Sequence, residues 1–181
     1  MGGVDKGLQE LDGRPLVAWV IERLSPQVDE LLVNANRNLE HYAAFGHRVV
    51  PDRIDGFAGP LAGLHAALSV ACHPLVATVP CDSPFLPGDL IARLRAALDE
   101  SGAELVVARG QGRLQPVFCL CRRTVFPALS DHLAAGGRRI ERWLTSLALI
   151  EVDFEDQPAA FANINRSDDL QASTRLVAPP S

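Results

Sequence analysis

The chain has no hydrophobic run approaching the length needed to cross a bilayer, so no membrane span and no membrane partner are expected. No charged stretch precedes an apolar one at the amino terminus, so no secretory signal is read and a cytoplasmic location is expected. Positive charge is short: 17 Lys and Arg stand against 22 Asp and Glu, a net charge of -5. Phosphate backbones need clustered Lys and Arg, which argues against a general nucleic-acid binder but leaves room for a small phosphorylated ligand on a local patch. The four cysteines, Cys72, Cys81, Cys119 and Cys121, lack zinc spacing, because the single C-x-C has no second pair behind it. Cys119 and Cys121 would share one face of a strand as core residues, reduced in a cytoplasm. There is no internal repeat, no linker and no histidine at a strand end.

The chain does have alternation. Its 181 residues fit one domain with a full core, expected over 1–175, with a disordered tail at 176–181. Residues 75–84, LVATVPCDSP, read as a buried strand of a parallel sheet that stops at a proline before Asp82. Ligands of open α/β folds sit beyond the carboxyl ends of such strands. Asp82 there either holds a hard cation through its oxygens or turns the following loop.

Asp12-Gly13 supplies a tight hairpin turn. Pro15 is placed in the tolerant first turn of a helix whose apolar positions Leu16, Trp19, Val20 and Leu24 recur at helical spacing, with Trp19 in the core. Strands are expected over 28–33, 48–50, 104–108, 115–121 and 148–154, and helices over 39–45, 59–72, 89–98, 122–133 and 138–147. The 115–121 strand follows a short turn and is read as antiparallel. The pattern implies a three-layer α/β/α fold with a mostly parallel sheet and an antiparallel strand.

Three strand ends carry polar groups: Asn34, Asp52 and Asp82. Each alone is an ordinary turn former, but parallel neighbours would bring all three to one sheet edge, which favours a site. At the amino terminus, MGGVDKGL resembles half of a phosphate loop, although short Gly-Lys strings are common in turns. Gly59-Pro60-Leu61-Ala62-Gly63 opens a helix with Pro60 at its permissive start. Gly63 inside it costs about 1 kcal/mol relative to Ala, which suggests close approach by a backbone or ligand, or tight helix–strand packing. Asn163 and Asn165 lie on one side of an alternating segment, 161–165. Arg138 and Arg139 are either solvated or part of a site.

MGGVDKGL, VNANR, VPD, GPLAGL, PCDSPF and the late NIN string, in this order, resemble the molybdenum cofactor guanylyltransferases. The resemblance implies a Rossmann-like nucleotidyltransferase that joins GMP from GTP to molybdopterin carrying molybdenum, releasing diphosphate. It implies Lys6 in a triphosphate-binding loop, and Asn34, Asp52 and Asp82 at the nucleotide, with Asp82 as the Mg²⁺ ligand. Gly59, Pro60 and Gly63 would belong to the guanylyl branch. Asn163, Asn165, Arg138 and Arg139 would face the pterin. Transient contact with molybdoenzymes or cofactor-delivery proteins is implied as well. The family opens with a strand and an L-A-G-G loop that have no counterpart before Met1, so residues 1–181 alone are expected to be unstable or inactive. A start placed too late in the reading frame is the expected reason, with genuine truncation as the alternative. Two other activities stay open: a cytidylyl- or sugar-phosphate nucleotidyltransferase, and a non-catalytic carrier of the finished cofactor.

Overall fold

The structure is a computed structural model that describes residues 5–54 and 59–161. Asn163, Asn165 and the expected tail fall outside the described residues.

Two strands, β1 (Glu10–Leu11) and β2 (Arg14–Pro15), form the expected hairpin. Asp12 and Gly13 between them both have positive φ, 53° and 73°, as a two-residue turn with the right twist requires. Pro15 sits at the end of β2, just before helix α1 (Leu16–Leu24), rather than within its first turn. Trp19 is only half-buried: its indole N–H donates to the Leu11 carbonyl at 3.2 Å, and the Arg14 guanidinium lies over its ring.

Next come β3 (Leu32–Asn34), α2 (Leu39–Ala43), β4 (Arg48–Val50) and α3 (Pro60–Val70). β3 and β4 pair in parallel. β3 starts four residues later than the sequence suggests, because side chains already hold the approach to it. Gln27 bridges to Pro87 and Ile91, and the Glu30 carboxylate accepts from the Cys72 amide.

The remaining elements are β5 (Leu75–Thr78), α4 (Leu90–Ser101), β6 (Leu105–Gly110), β7 (Arg113–Arg122), α5 (Phe126–Ala134), α6 (Ile140–Leu144) and β8 (Leu149–Asp153). They build a four-stranded sheet in the order β5-β7-β6-β8. β7 is antiparallel to both β5 and β6, while β8 is parallel to β6. Thus β5, β6 and β8 run one way and β7 alone reverses.

Side-chain alternation places helices on both faces of this sheet. Val76, Leu105, Val107, Cys119 and Cys121 point to α3, α5 and α6. Leu75, Ala77, Val106, Phe118 and Leu120 point to α4 and to Val20 of α1. The three-layer α/β/α architecture follows, and Cys119 and Cys121 share one buried face as their spacing requires.

Among the described residues, β3 pairs only with β4, and β5 only with β7. A largely apolar cleft of about 570 Å³ separates the two sheets along β3 and β5. No helix among the described residues is long and apolar enough to cross a membrane.

Candidate active site

Polar side chains reach the cleft from several segments, Gln27, Glu30, His73 and Arg95 before or beside the strands and others beyond their ends. Lys6, Asn34, Pro60, Gly63 and Asp82 all line it. Each arrives from a different segment: Lys6 from a short 3-10 turn (Lys6–Leu8), Asn34 from the last position of β3, Asp82 from the turn after β5, and Pro60 with Gly63 from the first turn of α3.

The Lys6 ammonium lies 3.5 Å from the Asp82 carboxylate. The Asp82 side chain is 11% exposed, whereas the Lys6 side chain is 53% exposed. The acid is therefore recessed, and the base stands in front of it with access to solvent.

Asp52 joins these residues through Asn34. The Asn34 amide donates to one Asp52 oxygen and to the Val50 carbonyl, both at 2.9 Å. Asn36 takes the other Asp52 oxygen at 2.8 Å, and its own carbonyl accepts the Asp52 backbone N–H at 2.8 Å. Asp52 is thus held by two asparagines and keeps acceptor capacity for a ligand, since each carboxylate oxygen has two lone pairs. Asn36 was not singled out from the sequence, although its i,i+2 spacing from Asn34 on an extended segment places both on one side.

The glycine of α3 also finds its reason here. A Cβ on Gly63 would fall 2.6 Å from the Asn34 side-chain oxygen. The close neighbour is therefore a side chain of the site, neither a backbone nor a ligand. Gly59, at φ 59° and ψ -148°, supplies a chain entry to α3 that residues with a Cβ rarely adopt. Residues 55–58 of the preceding loop are outside the described residues.

A second network lies behind Lys6. The Asp5 carboxylate accepts from the Tyr42 hydroxyl at 2.6 Å and from the Asn38 amide at 2.9 Å. Burial first, then the Asp5 hydrogen bond, holds the phenol far above its usual range, so it stays a donor. Cys81 borders this network, and burial followed by the Asp82 and Asp5 charges pushes its thiol up to about 11.

Arg138 and Arg139 do not line the cleft. Arg138 donates to the Leu133 carbonyl at 3.0 Å and to the Gly137 carbonyl at 2.8 Å, capping the end of α5. Arg139 is exposed at the start of α6.

The described residues contain no group of three or more His, Cys, Asp and Glu able to hold a metal by themselves. The donor set at Asp82 fits a different kind of metal site. One recessed carboxylate on the cleft suits a hard divalent cation that it would hold together with further oxygen donors.

Known proteins resemble this chain in both sequence and fold. Residues 1–150 match the family model of the MobA-like NTP transferase domain. A molybdenum cofactor guanylyltransferase of Cupriavidus taiwanensis is 50% identical over 177 residues, covering 95% of this chain and 88% of that protein. One from Shewanella halifaxensis is 42% identical, covering 98% of this chain and 89% of that protein. Among solved structures, the molybdopterin-guanine dinucleotide biosynthesis protein A of Archaeoglobus fulgidus superposes with a TM-score of 0.79 at 21% identity, over 96% of this chain and 91% of its own. The 2-C-methyl-D-erythritol 4-phosphate cytidylyltransferase of Thermus thermophilus gives 0.71 at 20% identity, over 94% and 93%. The two structures establish the fold, a nucleotidyltransferase α/β fold. The relatives and the family model go further: this chain is a member of the MobA-like NTP transferase family and groups with the molybdenum cofactor guanylyltransferases.

Proposed function

We propose that this chain transfers GMP from GTP to Mo-molybdopterin, giving the guanine dinucleotide form of the cofactor and diphosphate. The observation that carries the reading is the Lys6–Asp82 pair, 3.5 Å apart on a cleft that Asn34 also lines.

A terminal phosphate oxygen of molybdopterin attacks the α-phosphorus of GTP. The bond from that phosphorus to the bridging oxygen breaks, and diphosphate leaves with the electron pair. Both reactants are anions, so charge neutralisation and alignment dominate the chemistry. The nucleophile is already ionised at neutral pH, so no side chain need remove a proton.

Lys6, half in solvent, receives the β- and γ-phosphates and stabilises the departing diphosphate. Asn34 and Asp52, tied to each other and to Asn36, hold the nucleoside by hydrogen bonds. The entry to α3 at Gly59, Pro60 and Gly63 borders the nucleotide on the other side. Asp82 would hold Mg²⁺, which when bound neutralises phosphate charge and polarises the reacting phosphoryl group. Arg138, Arg139, Asn163 and Asn165 are assigned to the pterin side by the family resemblance. Arg138 serves there from a guanidinium already fixed by carbonyls.

The test is Mg²⁺-dependent diphosphate release from GTP plus Mo-molybdopterin. Asp82→Ala should abolish it, and Lys6→Ala should weaken GTP use more than pterin binding. Release near the parent level in Asp82→Ala removes Asp82 from the metal role. A larger loss of pterin than of GTP binding in Lys6→Ala reverses the two substrate ends. The fold likeness to a cytidylyltransferase makes base choice a separate question, which turnover with GTP, CTP and UTP answers.

A further inference from the structure

Lys6 has a long flexible stem, so its value as a phosphate ligand depends on what fixes its backbone. The three-residue 3-10 turn that carries it cannot hold itself. Two backbone bonds close it among the described residues, from the Leu8 amide to the Asp5 carbonyl at 3.2 Å and from the Gln9 amide to the Lys6 carbonyl at 3.1 Å. The anchor comes from α2. Asn38, just before the helix, and Tyr42, one turn into it, both donate to the Asp5 carboxylate.

Tyr42 is 3% exposed and packs in a cluster with Val17 and Val33, so its ring has one position. Its hydroxyl touches the Lys6 turn twice. It holds Asp5 on one side of Lys6. On the other side it sits where Gly7 presses in, since a Cβ on Gly7 would fall 2.6 Å from the hydroxyl oxygen and 3.0 Å from the Cys81 sulfur. Cys81 immediately precedes Asp82. The turn is therefore wedged between the phenol and the residue that leads to the acid.

We propose that Tyr42 is a positioning residue for the phosphate end of the nucleotide: through Asp5 its hydroxyl sets where Lys6 stands relative to Asp82. The inference rests on the reading of Lys6 as a triphosphate ligand. It concerns affinity for the phosphates and leaves the nucleoside end, at Asn34 and Asp52, alone.

Tyr42→Phe keeps the ring and removes the hydroxyl. Equilibrium binding of GTP and of GMP, each with Mg²⁺, is measured for the parent, Lys6→Ala, Tyr42→Phe, Asn38→Gly and the Asp5→Ala pair with and without Tyr42→Phe. Asn38 has φ 50°, so glycine there keeps the backbone and deletes only the amide. Tyr42→Phe is expected to weaken GTP about tenfold, the size of one hydrogen bond to a charged acceptor, while GMP affinity stays within about twofold. Asn38→Gly moves the same way by less, and Tyr42→Phe adds no further loss once Asp5→Ala is present. The proposal is overturned if Tyr42→Phe leaves GTP binding intact, weakens GTP and GMP equally, or adds its full effect to Asp5→Ala. If Lys6→Ala itself fails to separate GTP from GMP, the underlying assignment of Lys6 is wrong. If Lys6→Ala separates them and Tyr42→Phe does not, only the role of Tyr42 falls.

Discussion

Replacing Gly63 by alanine should weaken ligand binding while leaving the chain folded. The new methyl would sit 2.6 Å from the Asn34 side-chain oxygen and 3.2 Å from its Cγ, too close for either atom to stay. Moving Asn34 breaks two bonds of its amide, to the Val50 carbonyl and to Asp52. In a partly exposed setting each contributes about 0.5–1.5 kcal/mol. Alanine returns about 1 kcal/mol of helix propensity inside α3. The net cost is roughly 0–2 kcal/mol, or a fall in Tm of no more than about 8 °C for a chain of this size. Nucleotide affinity should fall about tenfold, because Asp52 loses one of the two asparagines that aim it. The assay pairs thermal unfolding with titration of GTP and Mg²⁺. Adding Gly63→Ala to Asn34→Ala removes the clash, so the double variant should be more stable than Asn34→Ala alone by about 1 kcal/mol. Parent-like GTP affinity in Gly63→Ala, or a double variant less stable than Asn34→Ala, would refute the reasoning.

Two further predictions concern groups away from the nucleotide. The Ser130 hydroxyl donates to the Phe126 carbonyl, so the His65 Nε2–H donates to Ser130, and the buried Nδ1 has no partner among the described residues. Burial first, then the Arg53 charge, lowers the His65 pKa. The unfolded chain therefore takes up a proton near the ordinary value of about 6.5 that the folded chain refuses. Stability is full above that pH and falls as pH drops below it. The denaturation midpoint should decrease between pH 7.5 and 5.5, and His65→Leu should flatten that decrease; an unchanged slope counts against the argument. Cys72 and Cys81 are both exposed at the surface, Cys119 and Cys121 are buried, and the thiols of Cys81 and Cys119 are pushed up to about 11, with desolvation of the sulfur the first cause in each. Iodoacetamide at pH 7.5 should modify Cys72 first by mass spectrometry; equal labelling of Cys81 contradicts the environment assigned to it.

Local chemistry was legible where one residue type decides the backbone. Asp12-Gly13 makes the hairpin, Arg48–Val50 is a strand at the expected residues, and Cys119 with Cys121 share a face because a strand has period two. The helix expected over 138–147 shrinks to Ile140–Leu144, since Arg138 is turned back to cap α5. Asn34, Asp52 and Asp82 were legible as strand-end groups, and the cleft brings Asn34 and Asp82 beside Lys6. The Asp5–Tyr42 bond joins residues 37 apart in sequence, and only packing of α2 against β3 and β4 reveals it. Gly63 carried a visible signal whose cause, the Asn34 side chain, was not visible. Propensity reports on the chain's own neighbours, and these contacts are between strangers in sequence.

The binding end is assembled from segments that no single strand carries. Asn34 closes β3 and Asp52 follows β4 on one side, and Asp82 follows β5 on the other. The halves of the binding end are registered by small side-chain stitches: Lys6 to Asp82, Gly63 against Asn34, Gly7 between Tyr42 and Cys81. A nucleotide held at its base by Asn34 and Asp52 and at its phosphates by Lys6 would add one more stitch between them. Amide exchange in β3 and β4 should then slow on loading together with that of β5.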